Sequence, residues 1–268
     1  MKRILKIGMD VHTTNYTLCA MEPIIGEDDR VFATIKVTPD YKNILLFIEN
    51  LKTKLGLNDE YDIQCGYEAG CLWYSLYNQL TAAGVKCVIL APTTMLTPQG
   101  VRIKTDMRDA YMIAQCLSYG GYHAVYIPTE DDDSVKEYLR MRNDHKLALK
   151  KIKQQINAFC IRHGFCYDGT KWTLKHLKWL KKLEITNELY REILDEYMAS
   201  YEEQEAKIER YDKRIEEIAE QTKYHDKVKK LECFLGIKTH TALSLIVETG
   251  DFERFAKGNQ YASYLGLA

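Results

Sequence analysis

The sequence predicts an α/β domain over residues 1–127 followed by a helical remainder, and three observations carry that reading. Ile4 to Val11 is apolar at nearly every position, the pattern of a strand covered on both faces. Short apolar runs then alternate with segments of helical spacing as far as Tyr119. Beyond Pro128 the apolar residues follow helical and heptad periods.

Taken in order, Thr17 to Glu22 and Val31 to Val37 alternate apolar and polar residues, and are predicted to pair beside the first strand. A turn around Gly26-Glu27-Asp28-Asp29 joins them. Tyr41 to Leu55 places Ile44, Leu45, Ile48, Leu51 and Leu55 on one helical stripe. Asp62 to Tyr67 reads as a short strand, Leu72 to Ala83 as a helix closed by Gly84, and Lys86 to Leu90 as a further strand. Ala91 to Lys104 is a loop, and Asp106 to Tyr119 a helix ended by Gly120-Gly121. Three strands followed by alternating helices and strands is the order of an RNase H-like fold.

Past Pro128, Ser134-Val-Lys-Glu137 has the form of a capping box, and the helix it opens is predicted to run to about His163 before Gly164. A second helix is predicted from about Thr186. Its seam is Tyr190, Leu194, Tyr197, Tyr201, Gln204, Ile208, Tyr211, Ile215, Ile218 and Thr222, a four-and-three alternation over four heptads. An intramolecular hairpin with the preceding helix satisfies such a coiled-coil seam, and so does a homodimer or tetramer. The expected divisions are 1–127, a helical linker 128–226, and the start of a third segment, 227–268.

With 46% hydrophobic residues and no apolar run near the roughly 20 residues a membrane span needs, a membrane protein is excluded as an expectation. The N-terminus has no long apolar segment of the secretory type. The eight cysteines are scattered and form no Cys-x-x-Cys pair, which fits buried thiols in a reducing cytoplasm better than disulfides or zinc. The net charge of −1 averages two opposed segments. Arg140 to Lys182 holds twelve Lys or Arg against two acids, whereas Asn187 to Glu220 holds twelve acids against five Lys or Arg. A basic stretch of that density is a candidate phosphate footprint.

Four carboxylates stand out. Asp10 ends the most apolar strand, in Ile7-Gly-Met-Asp-Val-His-Thr-Thr14, where a buried charge is costly unless paired or metal-bound. Glu68 ends the Cys65-Gly-Tyr-Glu-Ala-Gly70 strand between glycines. Asp106 and Asp109, in Lys104-Thr-Asp-Met-Arg-Asp-Ala110, share a face of the first turn of a helix. Singly, each has a plain explanation as a helix N-terminal or solvated strand-end charge. Together they suit a Mg²⁺ site, since that ion takes oxygen ligands, with Mn²⁺ as the alternative.

These three motifs resemble the RuvC-like domain of the DEDD transposases, bridge-RNA-guided recombinases of bacterial insertion sequences that include the Piv/MooV-type invertases. The resemblance extends through Leu139-Arg-Met-Arg142 and the basic helix after it. Further on, Leu231-Glu-Cys-Phe-Leu-Gly-Ile-Lys-Thr-His-Thr-Ala242 and Tyr264-Leu-Gly-Leu-Ala268 resemble the start of that family's C-terminal transposase domain. It implies that Asp10, Glu68, Asp106 and Asp109 are catalytic and hold magnesium at the scissile phosphate. It further implies a DNA substrate, a structured bridge RNA that base-pairs with it, and a covalent step by a serine. That serine is expected a short distance beyond the Tyr-Leu-Gly-Leu segment. Ser244 and Ser263 precede the segment and do not match, so this chain alone is expected not to join strands. Where the family has a Pro-Gly-Ile-Gly type of turn, this sequence has Leu235-Gly-Ile-Lys238.

The expected nucleic-acid contacts are Lys104, Arg108, Arg142, Lys146, Lys150, Lys153, Lys171, Lys175, Lys178 and Lys182. In Lys171 to Lys182, Trp172 and Trp179 stand seven apart on one predicted helical face, either packing inward or serving nucleic acid while the lysines face outward. Two other readings share these residues: a RuvC-like structure-specific endonuclease using water as nucleophile, and a non-catalytic RNA- or DNA-binding remnant. A sugar kinase-like ATPase shares the Ile-Gly-x-Asp-x-x-Thr-Thr strand but would need a later glycine-rich phosphate loop, which the sequence lacks.

Overall fold

The computed structural model describes residues 3–24, 26, 28–56, 61–95 and 105–267, and divides into two compact units, Met1–Ile127 and Pro128–Ala268. The first unit is built on a five-stranded sheet of order β3-β2-β1-β4-β5. Its strands are β1 (Arg3–Val11), β2 (Tyr16–Glu22), β3 (Arg30–Val37), β4 (Tyr61–Glu68) and β5 (Lys86–Leu90). β1, β2 and β3 pair antiparallel, whereas β4 and β5 add in parallel on the other side of β1. The first strand is therefore central: Leu5, Ile7 and Met9 are buried on one face, while Lys6, Gly8 and Asp10 alternate onto the other. This mixed sheet with flanking helices is the α/β, RNase H-like class that the element order predicts.

Helices cover both faces. α1 (Tyr41–Leu55) and α2 (Ser75–Ala82) lie on the face of Leu5, Ile7 and Met9, where Ile44, Phe47, Ile48, Leu76 and Leu80 complete a buried cluster. α1 begins at Asp40, whose carboxylate accepts from the Lys42 N–H, and stops at Gly56 in the left-handed region (φ 56°). α2 starts three residues later than the periodicity predicts, because Trp73 takes a positive φ of 43° and breaks the first turn. α3 (Asp106–Tyr119) lies on the opposite face, over β1 and β2, with Ile113, Cys116 and Leu117 packing beside Leu90 and Met95.

The second unit is helical throughout its described residues: α4 (Glu130–Arg162), α5 (Leu174–Lys181), α6 (Glu188–Ala219), α7 (His225–Glu232), α8 (Thr239–Thr249) and α9 (Gly258–Tyr264). α4 opens four residues before the expected capping box. Thr129 is the cap, accepting from the Asp132 N–H, and Glu130 to Asp133 place four acids at the positive end of the helix dipole. Ser134 instead donates to the Asp131 carbonyl, and Glu137 pairs with Arg140 at 2.7 Å.

The α6 seam packs within the chain, against α4. Leu194, Met198 and Tyr201 meet Leu149, Ile156 and Phe159 in one core, and Ile215 and Ile218 meet Val135 and Leu139 in another. Gln204, the polar break in the heptads, bonds His145 at 2.9 Å, so the irregular position carries a cross-helix hydrogen bond. α7 and α8 share the second of these cores through Val228, Leu243 and Val247. α8 thus packs on the hairpin, whereas Phe252, Phe255, Tyr261 and Tyr264 further on contact one another. No described helix is long and apolar enough to cross a membrane.

Candidate active site

Strand register decides what gathers beneath α3. Lys36 of β3 pairs with Thr17 of β2, which pairs with Asp10 of β1. Register partners share a face of the sheet, so these three side chains form a row across it. The pairing of β1 with β4 runs to Met9 beside Tyr67, and one residue further along both strands Glu68 joins the row next to Asp10.

Gly8 brings the helix to that row. It lies on the same face two residues before Asp10, and a Cβ there would stand 2.1 Å from the Ala110 carbonyl oxygen and 2.3 Å from the Ala114 nitrogen. The α3 backbone rests directly on the strand because glycine leaves the space. From Gly8 to Asp10 is about 7 Å of strand, and from Ala110 back to Asp106 about 6 Å of helix. The first turn of α3 is therefore carried over Asp10. Thr105 caps it, accepting from the Arg108 N–H.

One ligand atom each from Asp10, His12 and Asp106 lies within 4.8 Å of the others. His12 Nε2 is 3.2 Å from Asp10 Oδ2, an ion-pair distance without hydrogen-bond alignment, and that oxygen is buried with no hydrogen-bond partner. Burial pushes the Asp10 carboxyl above its ordinary value; His12 opposes this, and Asp109 and Asp106 add to it. Asp106 moves the other way, held low by the Lys36 ammonium 2.7 Å from its Oδ2. Thr17 Oγ1, next in the row, is also buried without a hydrogen-bond partner. An unsatisfied buried polar atom costs about 1–3 kcal/mol, and an anionic acceptor oxygen in that state fits a cation. Two carboxylates and an imidazole suit Mn²⁺ as well as Mg²⁺.

Of the four expected carboxylates, Asp10 and Asp106 therefore stand in the cluster. Asp109 lies one turn further along and is felt by Asp10 as charge. Glu68 lies outside the group of ligand atoms, half-buried at the end of β4. His12 and Lys36 have no role in the sequence reading. His12 has a visible signal, since residues two apart in an extended chain share a face. Lys36 has none, because only the β2–β3 register places it.

Residues 7–160 match the DEDD transposases of IS110 type, and residues 228–268 match the transposase IS116/IS110/IS902 family. The chain belongs to the IS110-type DEDD transposases. It is 33% identical over 262 residues to the transposase for insertion sequence element IS1533 of Leptospira borgpetersenii, covering 96% of this chain and 73% of that protein. It is 30% identical over 202 residues to the putative transposase y4qE of Sinorhizobium fredii, covering 75% of this chain and 48% of that protein. Two solved structures of Thermus thermophilus RuvC, one in complex with a Holliday junction substrate, are similar at 11% and 12% identity. Each has a TM-score of 0.31 and covers 45% of this chain and 99% of RuvC.

In this transposase the expected nucleic-acid contacts fall into distinct groups. Lys104 lies outside the described residues, and Arg108 is exposed on the first turn of α3. Arg142 is turned inward: its Nε and Nη2 donate to the two oxygens of Asp212 at 2.8 and 3.1 Å, so it joins α4 to α6. Lys153 lies 5.3 Å from the Trp172 and Tyr201 ring centres and 3.5 Å from Glu205. Lys146, Lys150, Lys171, Lys175, Lys178 and Lys182 are exposed, with no acidic partner within 4 Å among the described residues.

The two tryptophans are not on one helical face, because Trp172 precedes α5 in a left-handed conformation (φ 65°). Both nonetheless pack inward, Trp172 stacking on Tyr201 with ring centres 5.4 Å apart. Lys238, standing where the family has glycine, takes an extended φ of −115° ahead of α8, so its backbone asks for no glycine.

Proposed function

We propose that this chain carries the metal-binding and nucleic-acid-binding part of a bridge-RNA-guided DNA transposase and site-specific recombinase. Asp10, Glu68, Asp106 and Asp109 would hold Mg²⁺, or Mn²⁺ with His12 contributing, at the scissile phosphate. The supporting observation is that Asp10, His12 and Asp106 offer ligand atoms within 4.8 Å of one another, with the Oδ2 of Asp10 buried and only His12 Nε2 beside it at 3.2 Å. A divalent ion bound there supplies Lewis-acid stabilisation of charge on the reacting phosphodiester oxygens.

The chain's own residues position and balance charge. Asp10 is fixed by the central strand, and Asp106 by a capped helix resting on Gly8. Lys36 keeps Asp106 ionised, and His12 gives Asp10 its nearest positive neighbour when protonated. The exposed lysines of α4 and α5 would meet phosphates, the protein reading backbone while base pairing reads sequence. Neither Ser244, within α8, nor Ser263, within α9, matches the family's nucleophile position, and we assign the covalent step to neither. All eight cysteines are free, as suits work in the cytoplasm.

The test measures thermal unfolding of the wild type and Asp10→Asn with and without Mg²⁺ or Mn²⁺, and sequences RNA that co-purifies from the native locus. The wild type should be stabilised by the ion and Asp10→Asn should not, and one discrete RNA species should be recovered. Equal ion response in both proteins sinks the metal assignment. Recovery of no discrete RNA sinks the guided reading.

A further inference from the structure

Where the C-terminal end of α4 meets α5, Asn157, Ile161, Tyr167, Lys171, His176 and Trp179 line a cavity of about 140 Å³. That is well above the roughly 10–15 Å³ that one water needs and below the roughly 300 Å³ at which drug-sized sites begin. Its walls are aromatic. His176 and Trp179 stand nearly parallel, 19° apart with centres at 5.7 Å, and Tyr167 is tilted against both at 4.7 and 5.1 Å.

The polar groups in the wall are defined. His176 is 2% exposed, and its Nδ1 accepts the backbone N–H of Trp172 at 3.1 Å. That acceptor role assigns the ring proton of neutral His176 to Nε2. Burial lowers the His176 pKa, with the Lys171 charge adding to the effect, so the ring is neutral at pH 7. The left-handed backbone of Trp172 aims its N–H at the ring, a strained arrangement of the kind found where a site is held in place. Among the described residues neither His176 Nε2 nor the Asn157 amide has a hydrogen-bond partner. Ile161 is 67% exposed, an apolar surface beside the opening. Lys171 is exposed ahead of α5, and Lys175, Lys178 and Lys182, spaced three and four apart along α5 and its C-terminal cap, form a positive stripe on that helix.

We propose that this cavity receives one unstacked base of a single-stranded nucleic acid, its face against Tyr167 or Trp179, its edge on Asn157 and His176, and a neighbouring phosphate at Lys171. Aromatic walls with a cationic approach are how single strands are held, since every base offers a π-face. An amide and an imidazole N–H give the edge both a donor and an acceptor to meet. The inference rests on the reading that this chain binds nucleic acid.

The full chain is titrated by fluorescence anisotropy with short RNA and DNA strands, and with fully abasic strands carrying the same number of phosphates. Intact strands should bind about tenfold more tightly than abasic ones. A preference in either arm sustains the pocket and names the strand that fills it. Asn157→Leu and Trp179→Leu, each checked for native circular dichroism, should shrink the preference, and Lys171→Gln should weaken intact and abasic strands alike. Equal binding of intact and abasic strands overturns the base pocket and leaves nucleic-acid binding standing. Binding of neither overturns both. Should Trp179→Leu fail to fold, an undiminished preference in Asn157→Leu overturns the pocket by itself.

Discussion

Lys36 Nζ sits 2.7 Å from Asp106 Oδ2, so a lysine on the third strand holds a carboxylate of the candidate metal cluster. The two residues are 70 apart in sequence and meet because β3 lies two strands from β1 on the face that α3 covers. The ammonium engages one oxygen of that carboxylate, and its charge repels a divalent ion beside it.

Lys36→Met should therefore tighten binding of Mn²⁺ to the chain, measured by calorimetry. Both side chains are about half exposed, so the gain is a modest two- to fivefold, about what a screened surface pair controls. Weaker binding in the variant would mean instead that Lys36 orders Asp106 for the ion.

Gly8→Ala should be among the most damaging single-methyl changes in the first unit. The added carbon would lie 2.1 Å from the Ala110 oxygen, a backbone atom that cannot swing aside. Lifting α3 off β1 should cost about 3 kcal/mol or more in urea unfolding. It should also abolish ion-dependent stabilisation, since Asp106 would leave Asp10. Gly70→Ala is the control: its added carbon would meet only the Glu68 oxygen at 3.8 Å, and stability should stay within about 0.5 kcal/mol.

The contrast between these sites shows what the sequence could and could not disclose. Asp10, Asp106 and Asp109 were legible because a charge at the end of an apolar strand and two at a helix start are local patterns. Tyr41 to Leu55 and Asp106 to Tyr119 were legible to the residue because a cap and a left-handed glycine bound each helix. Lys36 and the inward turn of Arg142 were not, because strand register and helix packing are non-local. The start of α4 was misplaced because two cap signals compete there. Thr129 wins by setting Glu130 to Asp133 on the positive end of the dipole and by tying Asp132 to α7.

That tie makes a pH-dependent contribution to the second unit. Asp132 accepts from the Tyr224 hydroxyl at 2.7 Å and from Thr129 Oγ1 at 2.8 Å, and pairs with Lys223 at 2.9 Å. Burial raises its carboxyl pKa, but the hydrogen bonds from Tyr224, Lys223 and Thr129 outweigh burial and leave it below the ordinary value. The ionised form is thus favoured by folding. Its contribution is complete above the unfolded carboxyl value and fades as pH falls through the lower folded one. Asp132→Asn should destabilise the protein by about 2 kcal/mol at neutral pH. The gap from wild type should narrow as thermal unfolding is followed into acid. A gap that does not change with pH would remove the carboxylate from the account.

Arg142 and the α5 lysines should separate stability from binding. Arg142 is spent on Asp212, its side chain only 12% exposed, so Arg142→Gln should lower unfolding stability by about 1–2 kcal/mol and leave the salt dependence of nucleic-acid binding unchanged. Lys175, Lys178 and Lys182 are exposed, with no acidic partner within 4 Å among the described residues. Replacing all three by glutamine should leave stability nearly untouched. Each phosphate no longer neutralised by a lysine lowers the slope of log K against log salt by about 0.7–0.9, so the triple variant should show a slope about 2–3 shallower. Affinity should fall alike for unrelated sequences, because phosphates carry no sequence information. An unaltered slope in the triple variant would move the nucleic-acid face away from α5, leaving the exposed Lys146, Lys150, Lys151 and Arg162 of α4 and Lys171 ahead of α5 to test.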